Sequence, residues 1–242
     1  MRAAIARRMS DSKRTAPHFY VTADFDMDPA LRTVDELNDG RPAGERVTIT
    51  AVLAKAVAES LGRFPALNAV WNGDVLEIVD EVNMGVAVAL DEGLIAPAIL
   101  DVGSMDVGRL SMALRDLAAR ARSGKLRAAE MTEATFTLTN LGMFAVSSFT
   151  AIITPPQVAT LAAGRVEPRP VVIDGRVEIR SRMTVTVSAD HRAVDGALVA
   201  RFLGDLGDAL REAGTFSARA PSACRTTVSR RCSLRAGGFL SR

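Results

Sequence analysis

Only two of the 242 residues are histidines, His18 and His191, so few side chains are suited to moving protons near neutral pH. His191 stands in "TVTVSADHRAVDGALVARFL" (residues 184–203), between Asp190 and Arg192 and four residues before Asp195. An imidazole among charged neighbours, with a carboxylate four positions on, has the makings of a positioned general base. On spacing alone, a turn histidine bonded to backbone fits equally well. His18 follows Pro17, where a structural, hydrogen-bonded histidine is the stronger expectation. A Ser-His-Asp triad needs a placed serine, and there is no G-x-S-x-G elbow; the G-x-G-x-x-G of dinucleotide binding is also missing. "GSMDVGRL" (103–110) has the glycine spacing of a phosphate loop, but it carries Arg109 where the lysine belongs and no apolar strand leads into it. It reads as a helix start. Both cysteines, Cys224 and Cys232, lie near the end of the chain, which leaves no disulfide framework and no Cys- or His-rich metal site in the body. A reducing compartment fits that usage.

The elements that must hold His191 are written in the same stretch. Val185 and Val187 alternate with Thr184, Thr186 and Ser188, the period of a half-buried strand. From Gly196 on, Leu198, Phe202, Leu206 and Leu210 recur every four residues, the stripe of an amphipathic helix. His191 therefore belongs at a strand tip, with Asp195 placed to fix its tautomer or brace the loop. Gly196 allows a tight turn into the helix. Upstream, residues 1–14 read as a helix and 18–26 as a strand through Phe19, Val21, Ala23 and Phe25. Asp28-Pro29 reads as an N-cap with proline at the first helical position, opening a helix to about Leu37. Thr48 or Thr50 caps a helix with Val52, Leu53, Ala56, Val57 and Leu61 on one face, ended by Gly62. "LNAVWNGDVLEIV" predicts a hairpin around Asn72-Gly73. Residues 83–90 form an apolar run of buried-strand type, followed by a loop, "DEGLIAP". Residues 105–123 have helical spacing closed by Gly124, and strands follow at "ATFTLTN", "VATLAAG" and "PVVID". Hairpins mixed with long helices predict one α+β domain with a largely mixed sheet.

An apolar content of 48% with 24% charged residues belongs to an ordinary globular chain, and no apolar run reaches the length of a membrane span. The opening "MRAAIARRMSDSKRT" is basic and amphipathic but runs straight into the fold, so a mitochondrial presequence is set aside. The net charge of +2 conceals an asymmetry: residues 215–242 hold six arginines and no Asp, Glu or Lys, which leaves −4 on the rest. That tail lacks the interleaved aromatics of a nucleic-acid arm. The expected division is one folded domain over residues 1–212 and a basic, disordered tail over 213–242, with neither nucleic acid nor membrane as partner.

"DHRAVDGA" resembles the His-Arg-x-x-Asp-Gly signature of the dihydrolipoamide acyltransferases, the catalytic cores of 2-oxo acid dehydrogenase complexes, which share the chloramphenicol acetyltransferase fold. "RAAIARRMSDSKRTAPHFYVT", "FPALNAVWNGD", "VAVALDEGLIAPAI", "TFTLTNLGMF" and "FTAIITPPQVATLAAGRVEPRPVVIDG" resemble the same family in the same order, and together the blocks cover residues 2 to about 212. The resemblance implies that His191 is the general base on a thiol, of coenzyme A in one direction and of dihydrolipoamide in the other. A free thiol titrates near 8.5 and imidazole near 6.5, so that transfer is uphill by roughly 2.7 kcal/mol, within reach of a positioned base. It further implies that Thr139, where many relatives carry serine, donates to the thioester oxyanion, and that Asp195 holds the loop. Asn140, His18 and Arg192 become candidates for substrate contacts.

The same resemblance implies a homotrimer, possibly part of a larger core, with the active site between subunits: His191 from one, Thr139 from its neighbour. It makes coenzyme A or acetyl-CoA a substrate and implies no metal. "NLGMF" followed by "FTAIITPPQ" points to the acetyl-transferring pyruvate branch rather than the succinyl or branched-chain ones. Partners would be lipoyl domains and the other enzymes of the complex, in the cytoplasm or, in a eukaryote, the mitochondrial matrix. Two departures stand out. None of Lys13, Lys55 or Lys125 follows an aspartate as a lipoylated lysine does, so the lipoyl group is expected on a domain outside this chain. The arginine-serine tail replaces the apolar segment that joins trimers into large cores. A non-catalytic scaffold core and an antibiotic-type acetyltransferase on the same fold remain the rival readings.

Overall fold

Strict alternation along three segments produces a sheet with two unlike faces. In the computed structural model, which describes residues 2–217 and 231–235, the helix Arg2–Thr15 (α1) leads into the strand His18–Asp26 (β1) and the helix Asp28–Asn38 (α2). The long helix Ile49–Arg63 (α3) follows, then the hairpin of Ala69–Asn72 (β2) and Val75–Val79 (β3). Short strands come next: Met84–Val86 (β4), Val88–Leu90 (β5), Gly93–Ile95 (β6) and Ala98–Ile99 (β7). Helices Val107–Arg122 (α4) and Ala128–Thr132 (α5) precede Phe136–Asn140 (β8), and two fifteen-residue strands, Ala159–Ile173 (β9) and Arg176–Asp190 (β10), run into the helix Gly196–Arg211 (α6). A strand Arg231–Arg235 (β11) pairs with β3.

The main sheet has six strands in the order β1-β10-β9-β8-β4-β7. It is mixed, as expected: β8 runs parallel to both β4 and β9, and the other pairs are antiparallel. Val185, Val187, Leu161, Leu138 and Phe136 are fully buried on one face, against Phe202 and Leu206 of α6 and the apolar side of α3. Each contributes roughly 2 kcal/mol by leaving water. The opposite face is built of hydroxyls. Thr137 pairs in register with Thr160, Thr160 with Ser188 and Ser188 with Tyr20; the next row is Thr139, Ala162, Thr186 and Thr22. Cross-strand partners share a face, so these residues form one surface. α1 and the loop 141–157 lie over it, tied by the Ser12 hydroxyl donating to the Ile153 carbonyl at 2.6 Å. The loop approaches β9 so closely that a Cβ on Gly164 would overlap the Ser147 carbonyl.

Several boundaries differ from the sequence expectation for identifiable reasons. Asp28 is the first residue of α2 rather than its cap: its carboxylate accepts from Ser181 N at 3.1 Å, and hydrogen bonds from the Ser181 side chain and backbone, with Arg180 nearby, hold its pKa below the usual range against the cost of burial. Of the two threonines, Thr48 caps α3, and the helix runs past Gly62 to Arg63. The apolar run 83–90 is two strands, because β4 joins the main sheet while β5 turns away to pair with β6 inside the expected "DEGLIAP" loop. "VATLAAG" and "PVVID" are parts of one strand, β9. The folded body also continues past residue 212: Ala213 and Phe216 are buried in the 3-10 helix Ala213–Ser217. Apart from that turn and β11, the 213–242 tail lies outside the described residues.

Candidate functional site

His191 occupies the turn between β10 and α6, and both flanking aspartates build that turn. Asp190 is 1% exposed. Its carboxylate accepts from Arg192 N at 3.0 Å and from the Arg192 guanidinium at 2.6–3.2 Å. The guanidinium in turn lies 4.6 Å from the Trp71 ring, a cation–π contact on the hairpin. Asp195 caps α6, accepting from Leu198 N at 2.8 Å. His191 N donates to the Pro17 carbonyl at 3.0 Å, and its ring lies 4.8 Å from that of Phe19. The imidazole itself is exposed at the strand tip. Through its bond to Leu198 N, Asp195 braces the start of α6.

Thr139 is on β8, half-buried, on the hydroxyl face. It borders a cavity of about 490 Å³ whose walls come from α1, the 87–97 segment, α5 and the loop 141–157. Beside it, Asn140 fixes the turn that follows: its amide donates to Thr50 Oγ1 at 3.0 Å and its carbonyl accepts from Gly142 N at 2.7 Å. His18 is held at both nitrogens. Ile153 N donates to Nε2 at 3.2 Å and Nδ1 lies 2.8 Å from the Ala16 carbonyl, which requires the neutral ring with its proton on Nδ1. Among the six candidate residues, only Thr139 lines the cavity. Asn140, His18 and Arg192 hold neighbouring backbone and side chains in place.

The register separates the two candidate reacting groups. Ala162 pairs with both Thr139 and Thr186, so Thr139 is two strands from β10 and level with a residue five positions before His191. At about 4.8 Å between strands and 3.3 Å per residue, the two lie roughly 19 Å apart within one chain. They cannot bracket the same thioester in a single copy. Sequence reasoning missed the cavity floor beside Thr139: Thr137, Gln157 and Thr160, all buried. The alternation in "ATFTLTN" carried the signal for Thr137 alone, since Thr160 joins it only through the parallel pairing of β8 with β9 and Gln157 only through a hydrogen bond from Thr137.

Residues 1–217 match the family described as 2-oxoacid dehydrogenases acyltransferase (catalytic domain). The chain belongs to this family. It is 36% identical, over 205 residues and 84% of its length, to the dihydrolipoyllysine-residue acetyltransferase component of the pyruvate dehydrogenase complex of Rickettsia bellii, of which it covers 49%. Against the mitochondrial component of Schizosaccharomyces pombe the identity is 38%, covering 84% of this chain and 42% of the relative. The chain thus spans about half the length of the curated relatives it matches. A solved structure of the Azotobacter vinelandii dihydrolipoamide acetyltransferase, studied for the role of a serine, a histidine and an asparagine in its catalytic mechanism, superimposes with a TM-score of 0.83 at 30% identity, covering 89% of this chain and 90% of that one. Chloramphenicol acetyltransferase, at a TM-score of 0.56 and 14% identity over 84% of this chain and 94% of that one, shares the fold. Among the described residues no helix is long and apolar enough to cross a membrane.

Proposed function

We propose that this chain carries an acetyl group between coenzyme A and dihydrolipoamide, the latter presented on a lipoyl domain, with His191 as general base and Thr139 as oxyanion donor. One correspondence carries the reading. In the Azotobacter enzyme the serine precedes the histidine by the same 52 positions that run from Thr139 to His191, and the asparagine follows by four, as Asp195 follows here. The His191 imidazole takes the proton of the incoming thiol, and the thiolate attacks the thioester carbonyl. Thr139 donates to the oxygen on which negative charge collects, a contact strongest in the tetrahedral state. Collapse expels the other thiolate, which recovers the proton from His191, so no acyl-enzyme is needed. Asp195 keeps the base in place by capping α6.

Because Thr139 and His191 of one chain lie roughly 19 Å apart, in this reading His191 of one copy meets Thr139 of another and the working unit is an oligomer, a trimer that associates with the other enzymes of a pyruvate dehydrogenase complex. The cavity beside Thr139, mostly apolar, suits the carrier arm of a thioester. The test is acetyl transfer from acetyl-CoA to dihydrolipoamide by wild type and His191→Ala, with masses measured in solution. The variant is expected to stay assembled and to lose about 10³ in kcat. Near-normal turnover by an assembled variant would remove His191 from the reaction, and an assembled but inactive wild type would favour the scaffold.

A further inference from the structure

Two buried polar side chains at the foot of the Thr139 cavity have chemistry that the acetyl-transfer scheme does not use. Thr160, 1% exposed, borders the cavity, and its hydroxyl has no hydrogen-bond partner. Gln157, 5% exposed, borders it too. Its Oε1 accepts from Thr137 Oγ1 at 2.6 Å, which commits the carbonyl end and orients the side chain. What Gln157 has left to offer is its amide NH₂, a pure donor, while the Thr160 hydroxyl can accept. The rest of the wall is dominated by apolar residues such as Ile5, Met9, Leu94, Phe149 and Ile152. An unpaired buried hydroxyl destabilises a fold, so its retention at the foot of an apolar cavity points to a ligand that completes it.

We propose that Gln157 and Thr160 form a notch for the secondary amide of the thioester's carrier arm, with the Gln157 N–H donating to the amide carbonyl and the Thr160 oxygen accepting from the amide N–H. This deepens the acetyl-transfer reading and rests on it for the position of the reacting carbonyl at Thr139. Thr137 and Thr160 are register partners, which places the notch two residues along the sheet from Thr139, about 7 Å away. That reach matches the first amide of coenzyme A, separated from the sulfur by two methylenes. The amide of dihydrolipoamide lies at the far end of a longer alkyl chain.

The experiment compares wild type, Thr160→Val, Thr160→Ser and Gln157→Leu on paired substrates. The donors are S-acetyl-N-acetylcysteamine, which carries the amide, and S-acetylpentanethiol, which does not; the acceptors are dihydrolipoamide and octane-1,3-dithiol. Thr160→Val is expected to lower kcat/KM for the amide donor about tenfold through KM, leaving the amide-free donor unchanged and thermal stability equal or higher. Gln157→Leu should follow it, and Thr160→Ser should restore the wild-type preference. A loss confined to dihydrolipoamide against octane-1,3-dithiol keeps the notch and moves it to the lipoyl amide. Equal losses on the paired substrates, or none, overturn it. Calorimetric binding of pantetheine against pentanethiol separates this from the functional reading. A wild type that transfers nothing yet binds pantetheine about tenfold more tightly than Thr160→Val keeps the notch and rejects the acyltransferase. Equal binding by both rejects the notch.

Discussion

In the proposed reaction Thr139 would offer the oxyanion the same kind of hydroxyl as a serine but hold it more stiffly, since two heavy atoms on Cβ restrict its rotamers. The hydroxyl is needed only while charge is on the thioester oxygen, so removing it should act on turnover rather than on binding. Thr139→Ala is expected to lower kcat by about 10²–10³ with KM little changed, and Thr139→Ser should stay within a few-fold of wild type. Steady-state kinetics on the three proteins decide it; a fully active Thr139→Ala would mean that the oxyanion is met elsewhere. At this scale the sequence singled out His191, Thr139 and Asp195 through motifs of fixed spacing, and the structure places His191 and Asp195 in the turn between β10 and α6 and Thr139 on β8 beside the cavity. Arg192 donates to Asp190, and His18 meets the Ala16 carbonyl and the Ile153 N–H, the last a contact that spans 135 positions and that no local spacing announces. Thr160 and Gln157 were invisible for the same reason: an unpaired hydroxyl is a property of a packed face.

Among the elements, α5 is one that neither periodicity nor length announces, since five residues carry no helical stripe. It is fixed instead by charge. Arg120 of α4 makes a two-pronged pair with Glu130 at 2.6 and 2.7 Å, and Arg127 N donates to the same carboxylate at 2.7 Å. The Arg120 bonds, opposed by burial and supported by Arg127, hold the Glu130 carboxyl below the usual glutamate range. A carboxyl whose pKa is lower folded than unfolded stabilises the fold above its unfolded value, near 4.3, and loses that contribution as pH falls through the folded value. Glu130→Gln should therefore cost about 2 kcal/mol at pH 7, and the gap from wild type should close as pH is lowered below 4. Denaturation midpoints across that range measure it; a gap constant with pH would show that packing, not charge, holds α5. Met131 and Thr132 of this helix border the cavity, so the same variant should also weaken substrate binding. β1 and the last part of β10 were legible because apolar and polar residues alternate along them; the first half of β10, from Arg176, was not read as strand. The split of 83–90 into β4 and β5 was not legible, since an apolar run is compatible with either sheet until its partners are in place.

At the scale of the whole molecule, the sheet keeps Thr139 and His191 of one chain apart. Thr139 lies on β8 and His191 in the turn after β10, two strands across and out of level by five residues, so in the proposed reaction each copy supplies half a site. Complementation turns that geometry into a count. His191→Ala and Thr139→Ala chains, each inactive alone, are unfolded together in equal amounts and refolded. In a closed ring of three, every mixed trimer contains one junction at which an intact His191 faces an intact Thr139. Three quarters of randomly assembled trimers are mixed and one site in three is whole in each, so recovery should approach about a quarter of wild-type activity. Refolding the variants separately and mixing them afterwards should recover nothing if the ring does not exchange subunits. Were both groups to act within one chain, neither order of mixing would restore turnover, and the 19 Å between them would have to close by a rearrangement of β8 against β10. Such a movement would break the β8–β9 pairing that also aligns Thr137 with Thr160. Recovered activity therefore tests the shared site and the integrity of the sheet together.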